Sequence, residues 1–359
     1  MIHFARFLTS SIHFTWEKLN RSLYPAVCIC RLRFQYTRTA NISHALIHSQ
    51  KMDRNRQESG RQPFNNKFLL LAFGFFGLLN EKKPEEDESE LIMTIKRSIL
   101  LTQKGEYKKA EQMLHVALRQ AQTLQHYDAI TYIYDLLANL AFDMGDYGKA
   151  EPLFVSVMQR LISTGTPQND LKIIHISLKV AKSFQHKGDV RKAEDGYKFC
   201  LKTLQEHIDS GTNNEDVMLL RAMTMDWYAR FLLSQSRLTE AYKNFLQSYE
   251  LSVQVNGKVH DQTVILLNDL GTVSSMLGNE DQALEYFTEA AEIGKNLPEM
   301  EDLGWIHINL GKLYIIKGLY DAAKKACEKG FLISKARNNE ESLAEARNCL
   351  SEVKKILSK

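Results

Sequence analysis

The chain has 359 residues, of which 44% are hydrophobic and 25% charged, a balance that folds and stays soluble over most of its length. Six prolines favour long helices, and five scattered cysteines exclude a disulfide framework of the small secreted kind. Residues 1–62 carry ten Lys and Arg against three acids, whereas the rest holds 36 basic against 40 acidic side chains, so nothing in the folded part suggests a nucleic-acid surface.

The first segment, 1–62, is basic and poor in acids. Ile2, Phe4, Phe7, Leu8, Ile12 and Phe14 recur every few positions among Arg, Lys, Ser and Thr. That is the pattern of a basic amphipathic helix, and it predicts a mitochondrial transit peptide followed by a basic disordered stretch. A negative membrane surface attracts such a helix. The uncharged run 68–79, "FLLLAFGFFGLL", would be about 18 Å long as a helix, short of the roughly 30 Å hydrocarbon core. Three readings stay open for it: a short membrane anchor, an interfacial segment, or a core helix packed against the helices downstream. Residues 80–87 read as an acidic linker.

From there a phrase repeats. Gly105, Gly145, Gly188, Gly278 and Gly318 are each followed at five residues by Ala (Ala110, Ala150, Ala193, Ala283, Ala323). At nine residues stand Leu114, Phe154, Tyr197, Phe287 and Cys327. A further copy has Ser236 in the Gly position, with Ala241 and Phe245 at the same offsets. Seven residues before each mark lies a small residue: Ser98, Ala138, Ala181, Ala229, Gly271 or Gly311. The marks are 40 to 48 residues apart, a period that signals an array of helix pairs. The mark ends one helix in a left-handed turn, Asp146, Asp189 or Asn279 after it can help start the next, and the small residues mark close helix–helix approach. No pair buries its apolar face alone, so neighbours must stack. This gives six pairs over 88–336 and a capping helix over 337–359.

The order small, Gly, Ala, large, small resembles the tetratricopeptide repeat, and "LGKLYIIKGLYDAAKKACEKG", Leu310 to Gly330, is nearest its consensus. The family's usual period is 34 residues; every repeat here is longer, which resembles the arrays of kinesin light chains. The resemblance implies an all-α fold, a right-handed superhelical solenoid of about six long helix pairs with a C-terminal cap. "AITYIYDLLANLAFDMGDYGKAEPLF", "IIHISLKVA" and "AEDGYKFCLKTLQE" are similar to a mitochondrial branch of that family. That likeness implies association with the inner membrane and with respiratory complex III, and help in clearing N-terminal fragments of the Rieske iron–sulfur subunit. It implies protein partners; from the charge balance and the motifs, no nucleic acid, cofactor or small-molecule substrate is expected.

No phosphate-binding loop, His-Glu-x-x-His or Gly-x-Ser-x-Gly is present, so no enzyme is expected. His175 and His186 are eleven residues apart on one predicted helix, too far to share a metal, and Cys200, Cys327 and Cys349 are expected as reduced core thiols. In tetratricopeptide arrays the first helix of each pair lines the concave face. There the residues flanking the small position are candidates for binding protein: Tyr132, Asp135 and Asn139, then Lys179 and Lys182, then Asp226 and Arg230. Asn268, Thr272, Asn309 and Lys312 complete the set. Asn can grip an extended backbone as donor and acceptor. Two rival readings are a cytosolic cargo or peptide adaptor like kinesin light chains, and a co-chaperone that clamps a C-terminal carboxylate. Asn139 suits such a clamp, but Asp135 one turn away would repel the carboxylate.

Overall fold

The structure, a computed structural model, describes residues 86–211, 214–297 and 300–358. The transit-peptide segment, the apolar run 68–79 and most of the linker lie outside the described residues. Thirteen helices and no strand are present among the described residues. These residues fall into two compact units, 86–203 and 204–358.

The first unit holds α1 (Glu86–Gln103), α2 (Tyr107–Thr123), α3 (Tyr127–Asp143), α4 (Tyr147–Ser163), α5 (Leu171–His186) and α6 (Val190–Asp209) as far as Thr203. The second continues with α7 (Glu215–Ser234), α8 (Leu238–Asn256), α9 (Asp261–Met276), α10 (Glu280–Gly294), α11 (Leu303–Ile316), α12 (Tyr320–Ala336) and α13 (Glu340–Leu357). Helix α1 begins two residues inside the stretch read as linker. No described helix is long and apolar enough to cross a membrane.

The turns explain the repeat. All five marking glycines have φ between 71° and 80°, and Ser236 takes the same left-handed turn at 59°. The residue after each mark donates its N–H back across the turn, as in Asp146 N to Ala141 O at 2.9 Å and Leu319 N to Tyr314 O at 2.8 Å. That bond closes the Schellman motif. Asp146 and Asp189 then accept from the N–H groups of Lys149 and Lys192, satisfying one orphan donor of the next helix. Asn279, in the same place, makes no such side-chain bond.

The small positions lie where helices touch. The Ala at offset five is wholly buried in all six pairs. Phe154, Tyr197 and Phe245 at offset nine are wholly buried too, each contributing on the order of 2 kcal/mol. In the first unit Leu91, Ile95, Leu114, Ile130 and Ile133 join α1, α2 and α3 in one core. In the second, Val264, Leu267, Ala290 and Ile306 join α9, α10 and α11. Trp305, Ile308, Ala323, Ala346 and Val353 then bind α11 and α12 to α13.

The cysteines correct one expectation. Cys200 is a free, buried thiol, but Cys327 and Cys349 are joined in a disulfide across 22 residues. Helix-on-helix packing of α12 and α13, which spacing does not encode, brings their Cα atoms to 5.9 Å.

Candidate functional site

The first helices of successive pairs are tied by polar rungs between residues about forty positions apart. In the first unit, Lys179 of α5 donates its Nζ to Asn139 Oδ1 of α3. Asn139 Nδ2 in turn donates to the Asp135 carbonyl at 2.8 Å. In the second unit, Arg230 of α7 donates Nε to Asp226 Oδ1 at 3.2 Å and reaches across to both carboxylate oxygens of Asp269 on α9. Asn309 Nδ2 of α11 donates to Asn268 Oδ1 of α9 at 2.9 Å. Lys312 of α11 pairs with Glu345 of α13.

The offsets explain the geometry. Asn139 and Arg230 each follow the small residue of their helix by one position, and Lys179, Asp269 and Asn309 precede the small residue of theirs by two. Small residues bring the helices together, so side chains beside them meet across the gap. Thr272 turns back to donate to Asn268 O of its own helix at 2.9 Å, and Tyr132 packs half-buried against the core of the first unit. Lys182 is half-buried, three residues beyond Lys179 and on the same helix face.

The electrostatics differ along the face. Burial raises the Asp135 carboxyl above its usual range, opposed by the nearby Lys179. Burial, then the Lys179 charge, holds the half-buried His175 imidazole well below its ordinary value, so it is uncharged at neutral pH. In the second unit Asp226 is wholly buried and its Oδ2 has no hydrogen-bond partner. Burial pushes Asp269 up to about 7; Arg230 opposes this, while Asp226 and Asp302 add to it. Lys179 and Arg230 also lie over the Phe154 and Phe245 rings, at 5.6 and 5.7 Å.

Chemically this is a face of hydrogen-bond donors and acceptors. The Lys179 ammonium has three N–H groups and gives one to Asn139, so it has donors for a carbonyl or carboxylate of a bound polypeptide. Among the described residues no group of three or more His, Cys, Asp and Glu is placed to hold a metal ion. Asp269 and Glu345 lie outside the set of candidates read from the sequence. Asp269 shares its offset with Lys179 and Asn309, which is the one signal that marks it in the sequence; Glu345 has none.

The tetratricopeptide repeat pattern matches residues 220–296 and again 306–337. Tetratricopeptide repeat protein 19 homolog, mitochondrial, of Drosophila melanogaster is 36% identical over 295 residues, covering 82% of this chain and 79% of that protein. The chain belongs to the tetratricopeptide repeat protein 19 family. The human member, also named mitochondrial, is 34% identical over 292 residues, covering 79% of this chain and 77% of its own length. Among solved structures, BtubC (BKLC) from P. vanneervenii aligns with a TM-score of 0.55 and 21% identity, covering 65% of this chain and 92% of its own. A signal-transduction ATPase with a tetratricopeptide repeat sensor, from Pyrococcus horikoshii, aligns with a TM-score of 0.58 and 16% identity over 79% of this chain and 40% of that one. These likenesses concern the fold: an all-α, tetratricopeptide-type assembly of helix pairs, here six with a final helix. Such repeats are scaffolds that bind protein partners.

Proposed function

We propose that the chain is a non-enzymatic, protein-binding scaffold at the mitochondrial inner membrane that supports assembly and maintenance of respiratory complex III. One observation carries this reading: 34 to 36% identity, over about four-fifths of each chain, to relatives named mitochondrial. The basic amphipathic pattern of 1–62 supports import, and the apolar run 68–79 supports association with the membrane. The partners are complex III subunits, including the Rieske protein or its N-terminal fragments. They are bound through the inner faces that carry Asn139, Lys179 and Lys182 in the first unit, and Asn268, Asn309 and Lys312 in the second.

The test uses the full chain with a C-terminal tag, expressed in cells that lack their own family member. A shortened product in the carbonate-resistant membrane pellet, co-purification of complex III subunits and a fall in Rieske fragments are the expected results. A full-length cytosolic product, or Rieske fragments that persist, would overturn the reading. Charge reversal of both Lys179 and Lys182 to Glu is expected to weaken capture with helicity unchanged. Undiminished capture by that variant would remove the first unit's inner face from the proposal.

A further inference from the structure

Nine residues after the turn, the first five pairs carry Leu114, Phe154, Tyr197, Phe245 and Phe287. The sixth carries Cys327. In the fifth pair the Phe287 ring fills the space beside Gly271, where an added Cβ would come within 2.7 Å of it. In the sixth the equivalent space beside Gly311 is filled by two sulfurs. A Cβ there would lie 2.5 Å from Cys327 Sγ and 3.2 Å from Cys349 Sγ. A pair of sulfurs thus stands where one pair earlier a ring stands, and half of it comes from α13.

The two cysteines are covered on all sides, 0% and 1% exposed, among Trp305, Ile308, Ala346 and Val353. The Lys312–Glu345 ion pair joins α11 to α13 at the same junction. Cys200 provides the contrast. It is equally buried, has no second sulfur, and burial pushes its thiol far above the usual range, which leaves it no nucleophilic thiolate.

We propose that Cys327 and Cys349 form a redox latch that seats the terminal helix α13 on the last repeat. The oxidant is a disulfide such as oxidised glutathione. Its S–S bond and the two cysteine S–H bonds break. The Cys327–Cys349 bond forms, and the two protons and two electrons leave on two molecules of reduced glutathione. In the reverse direction the same thiols restore Cys327 and Cys349. Two unbonded sulfurs need more room than a bonded pair, and the α11 backbone at Gly311 closes off the third side. The reduced junction therefore opens by moving α13 outward from close packing. Because the bond is covered, a reductant reaches it only when α13 lifts. The inference does not rest on where the chain acts or on what it binds.

The test compares the full chain after oxidised glutathione and after dithiothreitol, by peptide mapping without reduction and by amide hydrogen exchange. A peptide linking Cys327 to Cys349 is expected in the oxidised sample. Amides of α13 should exchange at least about tenfold faster after reduction, as loss of a cross-link closing a loop of this size implies, while those of α3 stay unchanged. Cys349→Ala is expected to show the faster exchange under both conditions; should it fail to fold, the two redox states of the natural chain decide alone. Absence of the linked peptide after oxidation, or equal exchange of α13 in the two states, overturns the latch.

Discussion

The rung in the first unit and its counterpart in the second occupy the same offsets and differ in charge. Lys179 meets a neutral amide, Asn139. Arg230 is held between two carboxylates, one of them wholly buried. Backbone periodicity alone places the partners, so the geometry survives a complete change of chemistry. The energetic consequences do not. An amide that loses its ammonium is left as a neutral group at the edge of water, whereas the buried Asp226 and the half-buried Asp269 lose the one cation that offsets their burial.

The sharpest break of that comparison is Arg230→Met. It strands Asp226 and Asp269 and is expected to destabilise the chain by about 3–5 kcal/mol in urea unfolding followed by helicity. A loss below about 1 kcal/mol would show that the two acids do not depend on Arg230. Next in size is a pH effect. The folded Asp269 carboxyl holds its proton up to about pH 7, whereas its ordinary value is 3.8. Its contribution to stability is therefore complete below about pH 4 and is lost as pH rises to about 7. Asp269→Asn removes that dependence. Between pH 5 and pH 8 the natural chain should lose about 2 kcal/mol relative to the variant. A constant difference across that range would refute the raised value.

Lys179→Met, the counterpart of the first change, is expected to cost about 1 kcal/mol or less. A loss equal to that of Arg230→Met would erase the distinction between the two rungs. The smallest effect sharpens the comparison at the turns. Ser236 holds φ at 59° where the other five marks are glycines. Ser236→Gly should raise stability by about 0.5 kcal/mol, as relief of the left-handed strain outweighs the added chain entropy. A lowered melting temperature would mean that the serine side chain supplies something the turn needs.

The helices and turns are legible in the sequence because their signals are local. A left-handed residue, an Ala five positions on and a large side chain four beyond that lie within three turns of one another. Even Ser236, which breaks the Gly pattern, is placed by the residues around it. The inner-face residues are legible as positions and not as partners. Asn139 and Lys179 read as separate candidates for binding, and the structure joins them to each other. Asp269 is marked only by the offset it shares with Lys179 and Asn309, and its residue type reads as a solvated acid until Arg230 is placed beside it. Cys327 and Cys349 read as separate thiols for the same reason: their meeting depends on how α13 lies on α12.

The sequence by itself determined where the turns between paired helices fall, the order of the pairs and the close-contact points, since each follows from backbone sterics and apolar spacing over a few residues. The tertiary structure alone decided which polar groups pair across forty residues, which carboxylate keeps its proton and which sulfurs join. Those outcomes depend on distance and burial between helices that are neighbours only after the chain has stacked.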